Sequence, residues 1–157
     1  MVTTGSSDAA AAEIAAWRGG TIKLGAKPTY LTLQPTEPGD LAASLAEAGR
    51  RQFTLVVRGL AADSPPATGY LIFLNAPEGA TLSEQDPGLA GSLSFFDVQP
   101  ASKDTDAQVI AFEVSDVLVR LRAAGRLGGG VTVTLVPTSE LAADSHPTIN
   151  HIGLLAH

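Results

Sequence analysis

The chain has 157 residues and a net charge of −6, with 45% hydrophobic and 17% charged residues and no cysteine. This length and composition predict one packed domain and exclude a disordered chain. The acidic charge and scattered basic residues disfavour a nucleic-acid partner, and the lack of cysteine excludes disulfides, zinc-thiolate sites and thiol catalysis. Since no window of about 18 apolar residues occurs, no membrane span is predicted.

The N-terminal part, residues 1–18, is predicted to be a linker or a short helix, and residues 19–157 a β-sandwich domain. Residues 9–17 are rich in alanine and place apolar side chains at helical spacing, which favours the helix. Gly19 and Gly20 are expected to end it.

The rest of the chain is predicted to be mainly strands. Short runs of alternating apolar and polar residues are separated by segments rich in proline, glycine and asparagine. Strands are predicted over residues 21–33 (interrupted at Lys27-Pro28), 52–57, 70–75, 92–98, 108–112, 131–136 and 148–155.

Two helices are predicted between these strands. Asp40 is a suitable N-cap for residues 41–48, and Ser115 is expected to cap a helix that presents Leu118 and Leu121 on one side and ends at Gly125. Together the elements predict a mainly β fold, an antiparallel β-sandwich that is jelly-roll-like, with one or two short helices. The connections are long, and long loops commonly carry recognition.

A metal centre is not predicted. The chain has three histidines, His146, His151 and His157. If the last strand continues to the end of the chain, His151 and His157 lie on the same face but about 20 Å apart, too far to share one metal ion.

Catalytic residues are not predicted either. No Gly-x-Ser-x-Gly elbow occurs, and Gly91-Ser92 falls within a strand, where close packing is its expected role. Glu113 and Asp116 flank Ser115, and Asp116 is expected to favour the start of the helix. A paired-carboxylate site would require acids brought together from distant segments. An enzyme with such a site is therefore kept as the least favoured of three hypotheses for the function of the chain.

Five blocks of the sequence occur in a fixed order: residues 67–75, 89–93 (Leu-Ala-Gly-Ser-Leu), 112–121, 131–137 (Val-Thr-Val-Thr-Leu-Val-Pro) and 147–153. In content and order they resemble the C-terminal domain of polyphenol oxidases, the tyrosinase and catechol oxidase family. The resemblance covers about residues 52–155, although residues 69–72 read Gly-Tyr-Leu-Ile where the family has its Lys-Phe-Asp-Val signature.

The resemblance implies a noncatalytic shielding domain. In that family, a β-sandwich domain covers the entrance of a dicopper site in a preceding catalytic domain and keeps the enzyme latent. The implied partner is therefore a type 3 copper domain, in the same precursor or a separate chain, and the implied copper belongs to that partner. Residues 56–60 resemble the family's Val-Ile-Glu-Gly-Ile stretch, so Leu60 is nominated as an active-site plug, with Arg58 beside it. The alternative, which is favoured, is that Leu60 packs under the Pro65-Pro66 loop.

The alternative hypothesis for the function of the chain is a generic β-sandwich module that binds protein or carbohydrate. Such a module would place aromatic side chains in a line along a groove, and Trp17, Tyr30 and Tyr70 are the candidates for that line. The aromatic content of 5% disfavours it.

Overall fold

The computed structural model describes residues 13–35, 45, 52–63, 68–76, 85–94, 109–127, 130–142 and 145–156. Two antiparallel sheets form a β-sandwich, which confirms the predicted fold class. The strands are β1 Glu13–Lys23, β2 Thr29–Thr32, β3 Gln34–Pro35, β4 Phe53–Arg58, β5 Tyr70–Leu74, β6 Leu89–Leu93, β7 Val109–Glu113, β8 Thr132–Pro137 and β9 Thr148–Ala156. One helix with described bounds, α1 Ser115–Ala123, connects β7 to β8.

The first sheet has five strands in the order β3-β1-β9-β4-β7, and the second has four in the order β2-β8-β5-β6. We call them sheet A and sheet B. Because β7 is an edge strand of sheet A and β8 lies inside sheet B, α1 carries the chain from one sheet to the other. The helix buries Val117, Leu118 and Leu121 in the core, so the predicted apolar side of this helix is confirmed.

The core lies between the two sheets and is built mainly from alternate residues of the strands. In β4, Phe53, Leu55 and Val57 are fully buried, whereas Arg58 is exposed. From sheet B, Tyr70 and Ile72 face the same core. This alternation is what a strand with one face on the core requires, and it fixes the pairing register.

The predicted N-terminal helix is wrong where the structure describes it. Residues 13–17 belong to β1, which continues across residue 18 and pairs with β9 from Glu13↔Ala156 to Lys23↔Thr148. Alanine favours a helix only weakly, and the long ladder with β9 overrides this local preference. Residues 1–12 lie outside the described part of the chain.

Other strand boundaries shift by a few residues. Of the strand predicted over residues 92–98, residues 92 and 93 belong to the observed strand Leu89–Leu93, which pairs with β5. Residues 95–98 lie outside the described part of the chain. Gln34–Pro35, predicted as loop, forms the short strand β3 beside β1. The helix predicted over residues 41–48 falls outside the described residues except for Leu45, which is helical and buried.

The packing role of Gly91 is confirmed. A Cβ atom at this position would lie 2.5 Å from Cδ1 of Phe112. Phe112 belongs to β7 of sheet A and Gly91 to β6 of sheet B, so the missing side chain lets these two edge strands approach each other.

Ser115 does not cap α1. Val114 occupies the N-cap position without a side-chain cap bond, and Ser115 Oγ instead accepts a hydrogen bond from the backbone N–H of Phe53 at 2.8 Å. The carboxylate of Glu113 accepts from the Ser115 N–H at 2.8 Å. Glu113 therefore satisfies a helix-start donor, while Ser115 ties the helix to β4.

Candidate functional site

The outer face of sheet A is the main candidate for a functional surface. Inward side chains of β1, β4, β7 and β9 belong to the core or pack against it, so their alternate residues point outward. We call this surface the sheet A face. Its described residues on the four strands are Trp17, Gly19, Thr54, Val56, Arg58, Val109, Ala111, Glu113, His151, Gly153 and Leu155.

The strand register arranges these residues in rows across the sheet. One row runs Gly19, His151, Arg58, Val109, since each is the Cα partner of the next. The next row consists of Trp17, Gly153, Val56 and Ala111. Gly153 and Val56 in its middle are buried, whereas Trp17 and Ala111 are exposed. Directly opposed side chains lie about 5 Å apart, so each row can contact a bound group as a unit.

Two aromatic rings stack on this face. The Trp17 and His151 rings have centroids 6.0 Å apart and an interplanar angle of 13°. A Cβ atom on Gly19 would lie 2.7 Å from Trp17 Cζ3, and one on Gly153 would lie 3.0 Å from His151 Cε1. Each ring thus covers the glycine two residues further along its own strand, and the two glycines make the stack possible.

Trp17 remains 44% exposed despite this stack. Val109, at the other side of the sheet A face, is 47% exposed. The two side chains are separated by β9 and β4, and apolar side chains that are exposed singly are normal on a protein surface.

Arg58, one of the two nominated residues, lies on the sheet A face. It is exposed, and among the described residues it forms no ion pair. Its cross-strand neighbours are His151 on β9 and Val109 on β7. The nearest acid of this face along β7 is Glu113, four residues or about 13 Å from Val109.

Leu60, the nominated plug, is 2% exposed and belongs to the hydrophobic core. Its neighbour Gly59 has a φ of +73° and a Cβ there would lie 2.7 Å from Asn150 Cβ, so the chain turns inward tightly at this point. Arg58 and Leu60 therefore face opposite environments. A role of Leu60 as a plug would require that it leave the core, and it stays a prediction.

The two described histidines lie in different environments. His151 lies in the stack with Trp17, whereas His146 is exposed, has a φ of +48° and contacts Asp63 through Nδ1 at 3.0 Å. His157 lies outside the described residues. Within the part of the chain that the structure describes, no group of three or more histidine, cysteine or acidic residues is arranged for a metal ion. In the same part, no helix has the length and hydrophobicity needed to cross a bilayer.

The line of aromatic side chains expected for a carbohydrate-binding module is not formed. Tyr70 is fully buried and its hydroxyl donates a hydrogen bond to the Gly25 carbonyl at 2.9 Å, while burial raises the pKa of the phenol. Trp17 belongs to sheet A and Tyr30 to sheet B. Among the described residues, the two exposed aromatic side chains are thus on separate sheets.

A polar cluster at one end of sheet B has a structural role. Arg126 and Asp86 form a paired salt bridge, with Nη1–Oδ1 and Nη2–Oδ2 distances of 3.1 Å each. Arg126 also donates to the Asn75 carbonyl, and Asn75, with a φ of +50°, bonds through its side chain to Arg126 O, Gly130 O and Thr132 N. We call this group the Arg126 cluster.

The Arg126 cluster makes the stability of the fold depend on pH in the acid range. Burial acts to raise the pKa of Asp86, but hydrogen bonds from Arg126 and from the Gly88 N–H, together with the charge of Arg126, hold it below its ordinary value of 3.8. A depressed folded-state pKa contributes stability above the unfolded-state pKa, and this contribution is lost as the pH falls through the folded-state pKa.

We therefore expect wild-type protein to be more stable than Asp86→Asn at about pH 7, with the gap closing below about pH 4. Urea denaturation of both proteins across this range, followed by circular dichroism, measures the gap. A gap that is constant with pH would show that ionised Asp86 is not the source.

Comparison with known proteins places the chain in a class and then in a family. The class is that of two-sheet, antiparallel β-sandwich domains. The chain belongs to the family described as Domain of unknown function (DUF7868), whose sequence profile matches residues 12–157. No curated protein matches the sequence.

Solved structures with a similar fold are polyphenol oxidases. Recombinantly expressed latent aurone synthase matches with a TM-score of 0.56 and 15% identity, over 88% of this chain and 25% of that one. Latent aurone synthase from its natural source matches with a TM-score of 0.53 and 15% identity, over 86% of this chain and 25% of that one. Latent apple tyrosinase matches with a TM-score of 0.53 and 20% identity, over 87% of this chain and 27% of that one.

This chain thus spans about a quarter of the length of these polyphenol oxidases. The resemblance predicted from the sequence is confirmed at the level of the fold.

Proposed function

We propose that this chain is a noncatalytic shielding domain. It covers the dicopper site of a type 3 copper catalytic domain and keeps that domain latent. The observation that carries the proposal is the likeness of nearly the whole chain to about a quarter of two enzymes described as latent. The ordered sequence blocks between residues 67 and 153 support the same assignment independently of the fold.

In this proposal the partner domain binds the copper and this chain does not, because the two differ in the histidines that they can supply. A type 3 copper pair takes six histidines, and this chain has three. Two of them, His146 and His151, lie in different environments, since His146 contacts Asp63 and His151 stacks on Trp17. The copper therefore belongs to the partner. The contribution of this chain is a rigid, complementary surface that excludes substrate.

A shield of this kind acts by occupying space, so it needs a stable scaffold rather than reactive groups. The sandwich provides that scaffold, because both sheets bury apolar side chains in one continuous core. Of the two nominated residues, Arg58 is exposed, so its proposed contact with a partner needs no rearrangement. Leu60 can reach the copper entrance only if its strand end moves out of the core.

Titration of a dicopper oxidase domain from the same genome with the purified chain tests the proposal. We expect diphenol oxidation to fall to a low plateau as the chain saturates the domain, since bound shield excludes substrate. Limited proteolysis of the mixture is expected to restore turnover. Turnover that stays unchanged across the titration would contradict the proposal.

A further inference from the structure

The pairing of β4 with β9 is interrupted where the nominated plug lies. The ladder ends at Arg58↔His151, and the chain returns to β9 at one isolated bridge, Ala61↔Thr148. Two backbone hydrogen bonds of 3.0 and 2.8 Å form that bridge, and it keeps the register of the ladder. Gly59 accounts for the interruption, because its φ of +73° lies outside the range of an extended strand.

We call residues 59–63 the strap. Beyond the bridge, the Asp63 N–H donates a hydrogen bond to the Ser145 carbonyl at 2.7 Å, and Asp63 Oδ2 contacts Nδ1 of His146 at 3.0 Å. The strap is therefore fastened at its far end to residues 145–148. At its near end, a glycine in the left-handed region joins it to β4.

The fastening includes a strained residue. His146 has a φ of +48° and precedes Pro147, although the residue before a proline favours extended backbone. The side chains of His146 and Asp63 are 69% and 63% exposed, so their contact changes an equilibrium by only about two- to fivefold. Strained backbone persists where neighbouring segments impose it, and it is common at switches. Opening of the strap removes one of the segments that hold His146.

We propose that the strap opens about Gly59 while the two sheets stay folded, that the contact of Asp63 with His146 limits this opening, and that the open strap presents Leu60 to the catalytic domain. The last part rests on the proposed function, since only a plug needs Leu60 outside the core. In the closed strap, Leu60 and Ala62 are each 2% exposed and belong to the core. A domain that binds only the open strap binds more weakly by the fraction of chains that are open.

Thiol labelling measures this opening, because the chain has no cysteine and each variant then carries a single thiol. Leu60→Cys is expected to react with dithiobis-nitrobenzoate at least about tenfold faster than Leu55→Cys, which replaces a fully buried residue of β4. Low concentrations of urea should hardly change the rate at Leu60→Cys but should raise the rate at Leu55→Cys, since global unfolding exposes far more surface. Parallel urea dependences at the two positions would overturn the proposal.

A second pair of variants covers the case in which the leucine variants do not fold. Ala62→Cys in the strap and Ala16→Cys in β1 replace buried alanines of the core, and each adds only a thiol. The same difference in rate and in urea dependence is expected between them, and its absence would equally contradict an opening strap.

Removal of the side-chain contact tests what limits the opening. Asp63→Ala is expected to speed the labelling of Leu60→Cys about two- to fivefold and to leave Leu55→Cys unchanged. Asp116→Ala is the matched control, because Asp116 is an exposed acid on α1, and it should leave the labelling of Leu60→Cys unchanged. Equal effects of the two alanine substitutions would show that the contact with His146 does not limit the opening.

Titration of the dicopper oxidase domain from the same genome connects the strap to inhibition. Asp63→Ala, in a chain that keeps Leu60, is expected to lower the concentration that halves diphenol turnover about two- to fivefold, because more chains are open. An increase in that concentration would contradict the presentation of Leu60 by the open strap. Wild-type inhibition without local labelling of Leu60→Cys would reject the strap and leave the shielding function standing. Local labelling without wild-type inhibition would reject the shielding function and, with it, the use of Leu60 as a plug.

Discussion

Arg126→Met is expected to lower the free energy of unfolding by about 3 kcal/mol. The side chains of Arg126 and Asp86 are 20% and 15% exposed, so loss of the guanidinium leaves a largely buried carboxylate without its cation. Urea denaturation followed by circular dichroism measures the loss. The expected value lies at the low end for buried pairs, because both side chains retain some contact with water.

The size of this effect follows from the number of segments that Arg126 joins. Its Nη2 donates to the carboxylate of Asp86 at 3.1 Å and to the Asn75 carbonyl at 3.2 Å, and Nε donates to the same carbonyl at 3.3 Å. These bonds tie the end of β5 to the segment before β6 and to the connection after α1. Methionine fills similar volume but donates no hydrogen bond.

Arg120→Met is the matched control for this prediction. Arg120 lies exposed on α1, so the same substitution is expected to change stability by no more than about 0.5 kcal/mol. In a double-mutant cycle, Arg126→Met is expected to cost less in an Asp86→Asn background, because no charge is then left unpaired. Equal costs in both backgrounds would show that the salt bridge is not the source.

Period-two alternation made most strands predictable from the sequence. The strand predicted over residues 148–155 is observed as Thr148–Ala156, and that over residues 52–57 as Phe53–Arg58. In β4, and in β9 from Ile152 onward, residues that belong to the core alternate with residues that do not. A physical constraint that acts on successive residues leaves a local signal, and such signals can be read without the structure.

The N-terminal strand was predicted wrongly because its cause is not local. Alanine and the spacing around Trp17 favour a helix, yet β9 supplies a pairing edge from the far end of the chain. The predicted N-cap of α1 was wrong for a related reason. Ser115 is a common capping residue, but here its hydroxyl accepts from Phe53, 62 residues away, and Glu113 takes over the local role.

The candidate site was only partly predictable for the same reason. Arg58 was nominated from the resemblance and is exposed, whereas Leu60 is buried in the core, as the alternative of a packing role for Leu60 requires. The signal for the ring stack is present as Trp17-x-Gly19 and His151-x-Gly153, an aromatic ring followed by glycine at the same spacing. It becomes informative only with the register that pairs the two strands.

Gly88→Ala is expected to destabilise the fold by about 3 kcal/mol, the second large effect at this end of sheet B. A Cβ atom on Gly88 would lie in hard contact with the Leu74 carbonyl oxygen and 3.0 Å from Asp86 Oδ2. The backbone cannot move away freely, because Gly88 O accepts from Leu74 N at 2.8 Å and Gly88 N donates to Asp86 Oδ2 at 2.9 Å.

Gly130→Ala separates this steric cost from the general effect of replacing a glycine. A Cβ atom on Gly130 would meet no atom within 4 Å, and neither Gly88 nor Gly130 has a positive φ. Gly130→Ala should therefore be neutral or stabilise by up to about 1 kcal/mol, because alanine restricts the unfolded chain. Similar stabilities for the two variants in thermal and urea denaturation would contradict the close approach of Gly88 to Leu74. A loss confined to Gly88→Ala would show that the β5–β6 end closes around a position where only glycine fits.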